Sequence, residues 1–310
     1  MSDQIPLAAD PRLDALLAWS ASLVGPCQVA SGDPRFHGRS TVLQLESEAG
    51  RCYLKWHREA DSWGTEVHGY ERWAPCFGGR APRLLGVHDA EPLALLIGAV
   101  PGTRLEDTPL PEAQQRAAWR AAGEALAGLH AQPAGDHFGP CRRDGSPLGA
   151  PESDAVTHVR ADLARWAEPG ARAGWLTPDE VRLVDAARER ASVFGGERPV
   201  ACHRDYNPYN WMVADDGRWS GVIDFEFAYP DVRVAEFSRY PDWEYFHRPD
   251  LVAALLAGYG RALTPIEEQQ LLVAHVQYAA AAVVWGQQHE FFGFRDEGHA
   301  ALAQLAQRWR

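Results

Sequence analysis

Val200-Ala-Cys-His-Arg-Asp205-Tyr-Asn-Pro-Tyr-Asn210-Trp-Met-Val213, continued by Gly221-Val-Ile-Asp224-Phe-Glu226, is the stretch that decides the fold. Val200 to Cys202 is a short apolar run that predicts a strand entering a loop. His203 to Asn210 is a loop crowded with polar side chains and stiffened by Pro208. Trp211 to Val213 and Ser220 to Ile223 predict two further strands, joined by the turn Ala214-Asp-Asp-Gly217-Arg218. An Asp-Gly step between apolar runs is a strong hairpin signal. Asn210 opens the first strand of that hairpin and Asp224 follows the second, so antiparallel pairing returns them to the same end. Asp205 lies in the loop just before them. An amide oxygen and two carboxylates therefore converge from one supersecondary unit.

Hard oxygen donors of this kind suit Mg²⁺, which takes few protein ligands and keeps places for water and phosphates. An aspartate beside the metal pair but outside it can accept the proton of an attacking hydroxyl. The pattern His-x-Asp-x-x-x-x-Asn, followed after a hairpin by Ile-Asp, resembles the catalytic and metal-binding segments of the aminoglycoside phosphotransferase family, within the protein-kinase-like superfamily. That resemblance implies an α+β, two-lobed fold. It has a small antiparallel β lobe with one main helix over residues 1–98, and a larger, mainly helical lobe over residues 99–310.

The remainder of the chain follows the same order. Pro11 to Leu23 has apolar residues at helical spacing. Gln28 to Ser31, Ser40 to Leu45 and Arg51 to Trp56 predict three strands. The resemblance implies that the loop from Gly32 to Ser40 covers the nucleotide phosphates. Lys55 is the only lysine in a chain whose other strongly basic side chains are all arginine. A compact ammonium on a flexible stem suits a phosphate better there than a planar fork does. Glu66, on a helix predicted from Thr65 to Trp73, resembles the glutamate that pairs with this lysine in the family. Glu71 is its rival, but it lies off the same helical face. Arg83 to His88 and Pro92 to Ile97 complete a five-stranded first lobe. Gly98-Ala-Val100-Pro-Gly102 then resembles the hinge whose backbone meets the nucleotide base.

Pro111 to His130 predicts a long helix, with His130 in a structural role at its end. Gly135 to Pro151 is a loop rich in glycine, proline and charge. Thr177-Pro-Asp-Glu180 and Thr264-Pro-Ile-Glu267 are capping boxes that start helices of about four to six turns. Glu236 closes the segment after the metal aspartate and is expected to be structural, as is His203, which braces the catalytic loop. Asp242, Glu244, Tyr245 and Glu290 form an acidic and aromatic group suited to a cationic or ring-bearing acceptor. Arg204, Asn207 and Tyr209 stand where the family more often has glycine, histidine and glycine, and none of these departures removes a catalytic group.

Composition sets the remaining bounds. At 310 residues and 46% hydrophobic, the chain can bury a sizeable core. A net charge of −12 argues against nucleic acid or an anionic membrane as partner. Five scattered cysteines without metal-ligand spacing point to reduced thiols in a cytoplasm. Within these bounds, the resemblance implies a cytoplasmic monomer or homodimer that uses ATP or GTP with Mg²⁺. Asp205 would be the base, Asn210 and Asp224 the metal ligands, and Lys55, Glu66, Ser40, Gly98 and Val100 the nucleotide contacts. By resemblance to the family alone, an antibiotic of the aminoglycoside, nucleoside or macrolide type is the expected acceptor. A metabolic hydroxyl, as in choline or homoserine, is the alternative acceptor, and a kinase-like binding protein without turnover is the alternative of another class.

Overall fold

The computed structural model describes residues 11–32, 40–238 and 247–309. Helix α1 (Pro11–Val24) leads into strands β1 (Cys27–Gly32), β2 (Ser40–Ser47) and β3 (Gly50–His57). Helix α2 (Ala60–Arg72) follows, and β4 (Leu84–His88) and β5 (Ala94–Gly98) complete a five-stranded sheet in the order β1-β2-β3-β5-β4, antiparallel at every pairing. Leu13 and Leu16 of α1 pack with Leu43, Leu45, Leu54, Trp56 and Leu96 on one face of the sheet. Residues of β3 alternate between the two faces, as a strand requires. Leu54 therefore enters this core, while Lys55 points to the other side.

Helix α2 starts five residues before the predicted Thr65. Ser62 and Gly64 are weak helix formers, but both are buried and packed, so tertiary contact overrides propensity.

Beyond β5 the chain is mainly helical. Strand β6 (Thr103–Arg104) is followed by α3 (Glu112–His130), α4 (Ala155–Ala173) and α5 (Pro178–Arg190). Then come β7 (Val200–Cys202), β8 (Trp211–Val213), β9 (Trp219–Val222) and β10 (Tyr229–Asp231). The described chain closes with α6 (Ala235–Ser238), α7 (Pro249–Tyr259), α8 (Pro265–Gln288) and α9 (Phe292–Arg308). Both capping boxes are formed, at Thr177 with Glu180 and at Thr264 with Glu267. The first starts a helix of 13 residues, slightly under the expected length. Helix α4 was not anticipated; Pro169 lies within it and obscures its period, while Asp154 caps its start by accepting from Thr157 N–H.

The predicted hairpin is β8–β9, and β6 extends it to three strands in the order β6-β8-β9. Gly102 permits that extension: a Cβ there would lie 2.0 Å from the Val213 carbonyl oxygen. Strand β7 pairs instead with β10, matching Cys202 to Tyr229 and Val200 to Asp231. The larger core runs through Trp119, Leu126, Trp211, Phe225, Phe237 and Val283, and it reaches Val67 and Tyr70 of α2. Among the described residues no helix is long and apolar enough to cross a membrane, and the five cysteines are free thiols.

Candidate active site

The hairpin brings its two ends together as predicted. Ile223 N–H donates to the Asn210 carbonyl at 2.9 Å, one residue before Asp224. The Asn210 carboxamide donates to the backbone carbonyl of Asp205 at 2.9 Å and to its Oδ2 at 2.8 Å. Asn207 donates to Asp205 Oδ1 at 2.8 Å. Two amide donors thus fix the Asp205 carboxylate, and the oxygen of the Asn210 carboxamide is turned away from it. His203 is fully buried. Its Nδ1 accepts from Asp205 N–H at 3.3 Å, and its Nε2 donates to the Ile223 carbonyl at 3.1 Å. It braces the loop against the hairpin.

Glu236 finishes the loop. Its carboxylate accepts from His203 N–H at 2.6 Å and from Arg204 N–H at 2.7 Å. Arg204 has a φ of 64° and Asp224 a φ of 69°, a region that non-glycine residues rarely occupy. Such strain persists where surrounding contacts over-determine it, and it clusters at functional sites. The Arg204 guanidinium ion-pairs with Asp231 and lies 4.2 Å from the Tyr229 ring centroid. Asp231 in turn takes His158 Nε2 at 3.0 Å and its neighbour Val232 N–H at 2.7 Å. Burial works against a charged His158, yet Asp231 overcomes it and raises the imidazole above its ordinary value.

Lys55 Nζ lies among three carboxylates: Asp224 Oδ1 at 2.7 Å, Glu66 Oε1 at 3.0 Å and Glu226 Oε2 at 3.1 Å. Burial alone would drive the ammonium toward neutrality, but the facing Asp224, Glu66 and Glu226 hold it well above the usual lysine range. Burial likewise opposes the charge on Asp224, and the Lys55 ammonium outweighs it and keeps the carboxyl low. Glu226 is pushed up by burial, against the pull of Lys55 and with the repulsion of Asp224 and Glu66. Three carboxylates thus face one ammonium, with His57 Nε2 2.8 Å from the other Glu66 oxygen. Asp224 keeps 34% of its side-chain surface open. Together with the oxygen of Asn210 it offers the hard, partly accessible donors that a divalent cation requires.

The other sequence-derived positions fall as follows. Glu66, not Glu71, reaches the lysine; Glu71 takes Arg143 instead, at 2.7 Å. Ser40 Oγ donates to Glu226 Oε2 at 3.4 Å, at the edge of the Lys55 cluster. Gly98 closes β5 and gives its N–H to the Arg83 carbonyl, and Val100 is buried just beyond. Glu290 stands in the exposed turn between α8 and α9, with a φ of 58°. Asp242, Glu244 and Tyr245 lie outside the described residues. His130 is structural, its Nδ1 bonded to the Tyr259 hydroxyl at 2.8 Å.

Three participants escaped the sequence reading. Glu226 was in view, two residues beyond Asp224, but the left-handed Asp224 (φ 69°) breaks the strand alternation that would have set its direction. His57 Nε2 lies 2.8 Å from Glu66 Oε2, a close contact without the angles of an aligned hydrogen bond. The chain of Arg204, Asp231 and His158 depends on the β7–β10 pairing, which no local pattern announces.

Buried Cys202, His130 and Glu236 also approach one another within 4.8 Å. Burial first, and then the nearby carboxylates, hold the Cys202 thiol well above its ordinary value. With both Glu236 oxygens occupied by backbone N–H groups, this cluster is loop scaffolding.

The sequence profile described as the phosphotransferase enzyme family matches residues 37–269. Among solved structures, a thermostable mutant of aminoglycoside phosphotransferase APH(4)-Ia, in ternary complex with ADP and hygromycin B, aligns with a TM-score of 0.70 at 15% identity, over 94% of this chain and 98% of that one. The GDP complex of wild-type aminoglycoside 2'-phosphotransferase-IIIa aligns at 0.69 and 14% identity, over 97% and 99% of the two chains. Macrolide 2'-phosphotransferase type I aligns at 0.61 and 19% identity, over 97% and 98%. At such identities the likeness establishes the kinase-like fold. None of the curated proteins compared matches this chain.

Proposed function

We propose, from the premise that this chain belongs to the phosphotransferase enzyme family, that it moves the γ-phosphate of ATP or GTP to a hydroxyl of an antibiotic of the aminoglycoside, nucleoside or macrolide type. Membership makes it a phosphotransferase acting on a small-molecule alcohol. The acceptor is the step beyond. One observation carries the chemistry: Lys55 from β3, Glu66 from α2 and the Asp224 and Glu226 carboxylates after β9 converge beside the Asp205–Asn210 loop.

Each residue then has a role. Lys55 grips the α and β phosphates and Glu66 holds it in place. Ser40 borders the phosphates, and the backbone from Gly98 to Val100 meets the base. Asn210 and Asp224 would hold Mg²⁺, which when bound neutralises charge developing on the phosphate oxygens. Asp205 is held by Asn207 and Asn210 so that it can orient the acceptor hydroxyl and take its proton. As the acceptor oxygen bonds to the γ-phosphorus, the bond from that phosphorus to the bridging oxygen breaks and nucleoside diphosphate leaves. Residues 1–98 form the nucleotide lobe in this account and residues 99–310 the catalytic and acceptor lobe. Asp242, Glu244, Tyr245 and Glu290 supply negative charge and an aromatic ring for the acceptor. A fold neighbour solved with ADP and hygromycin B and another with GDP support a nucleotide donor and a hydroxylated acceptor. The free thiols support a cytoplasmic site of action.

The test is transfer of labelled γ-phosphate across a panel of hydroxylated antibiotics, with choline and homoserine alongside. Mg²⁺-dependent labelling of one antibiotic is expected. Labelling of choline or homoserine alone would move the protein to metabolism. Nucleotide binding with no transfer to any acceptor would make it a binding protein.

A further inference from the structure

The segment after α3 is not a free loop. Cys141 and Pro147 bridge as the arms of a small hairpin, closed by Arg142 N–H donating to the Ser146 carbonyl at 2.7 Å. Its tip, Arg142 to Ser146, lies against α2, the helix that carries Glu66. Thr65 Oγ1 donates to the Cys141 carbonyl at 2.8 Å in a buried contact. His68 Nδ1 is 3.1 Å from the Arg143 carbonyl, and the Arg143 guanidinium forks onto Glu71 at 2.7 and 3.2 Å. The fit is close. A Cβ on Gly64 would lie 3.3 Å from Arg143 N, and one on Gly145 would lie 3.0 Å from the His68 ring.

The base of the same segment is tied to the catalytic side. Gly139 N–H donates to the Pro230 carbonyl of β10 at 2.8 Å, and Phe138 N–H to the Glu152 carbonyl at 2.7 Å. Phe138 stacks on His158 with ring centroids 5.1 Å apart, and His158 continues through Asp231 to Arg204.

We propose that residues 138–148 are a positioning strap that clamps helix α2 to the catalytic half and thereby sets Glu66 onto Lys55, with Thr65 as the positioning residue at the contact. Glu66 arrives on α2, whereas Asp224 and Glu226 arrive on the segment after β9. Their shared hold on Lys55 depends on the two halves keeping one relative placement. The strap links those halves through backbone carbonyls, whose positions are set by the hairpin. It acts through Glu66, not on a substrate. Its catalytic consequence rests on the phosphotransfer reading given above; its effect on Lys55 does not.

Lys55 is the only lysine, so amine modification followed by mass spectrometry reads its ε-amine alone, apart from the chain terminus. Thr65→Val keeps the shape of the side chain and removes the donor to Cys141. The expected result is a rise in Lys55 modification rate of about tenfold and a fall in kcat/KM for nucleotide of about tenfold, the size of one lost buried hydrogen bond. Thr65→Ser should restore both. In a Glu66→Gln background, Thr65→Val should add little, because the strap acts through that carboxylate. Leu305→Ala, in α9 and remote from α2, provides a variant of lowered melting temperature for comparison. A Thr65→Val protein that melts earlier but keeps wild-type Lys55 reactivity would reduce the strap to scaffolding and overturn the proposal. If the wild-type protein transfers no phosphate, the functional reading falls, and the modification rates still decide whether the strap positions Lys55.

Discussion

Two charge clusters flank the loop from His203 to Asn210, and they are built to opposite rules. Behind the loop, Arg204 meets Asp231, Asp231 meets His158, and Glu236 spends both oxygens on backbone N–H groups. Each charge there has its complement within the chain. In front of it, Lys55 is the one ammonium among three carboxylates, with the His57 imidazole against the far oxygen of Glu66. Burial first, and then repulsion from Asp224 and Glu66, raises the Glu226 carboxyl against the pull of Lys55. A balanced cluster holds a shape, whereas an unbalanced one is complete only when a cation joins it. Substitutions in front of the loop should therefore damage ligand binding and turnover, and those behind it stability.

The largest effect is expected at Asp224. Asp224→Ala removes the most accessible carboxylate of the Lys55 cluster and should abolish Mg²⁺-supported nucleotide binding in a calorimetric titration. An unchanged Mg²⁺ dependence would put the cation elsewhere. Next is Lys55→Arg, which keeps the charge but replaces a point donor with a planar fork. Its kcat/KM for nucleotide should fall by more than about tenfold, at least ~1.4 kcal/mol of transition-state stabilisation, with thermal melting showing an intact fold. Wild-type kinetics in that variant would take Lys55 out of the site.

Glu236→Gln sharpens the contrast from the other side. It turns an amide donor toward the backbone N–H groups of His203 or Arg204 and should cost about 1–3 kcal/mol of stability in denaturant unfolding. Nucleotide affinity of the folded protein should hold, and a selective loss of affinity with stability intact would merge the two clusters. The smallest effect is at Glu267, which caps α8. The side-chain hydrogen bond from Arg261, working against burial, lowers its carboxyl from an ordinary 4.5 to about 2. A depressed acid contributes stability that is complete above its unfolded value and is lost as pH falls through the folded one. Melting temperatures of wild type and Glu267→Gln should therefore converge as the pH drops from 4.5 toward 2. A constant gap would mean that the pair with Arg261 contributes nothing.

How much of this was legible in the sequence depended on range. The β8–β9 hairpin could be read because its turn and its alternation are local, and Lys55 stood out because no other lysine competes with it. Strand β7 announced itself as a strand but not its partner β10, since the match of Val200 to Asp231 is a property of the folded chain. Glu226 lay in the quoted stretch without a role, because its contact with Lys55 spans the two halves of the molecule. The strap at Cys141 was least visible. What Thr65 recognises is a backbone carbonyl, and a carbonyl leaves no mark in residue identity.

Asp205 is where the account is most exposed. Its carboxylate is oriented by Asn207 and Asn210, each donating at 2.8 Å. Turnover and nucleotide affinity should be measured on the same preparation of Asp205→Ala. The account predicts that turnover falls by roughly 10²–10⁴-fold while nucleotide binding survives. A correctly folded Asp205→Ala protein with near-normal turnover would contradict it.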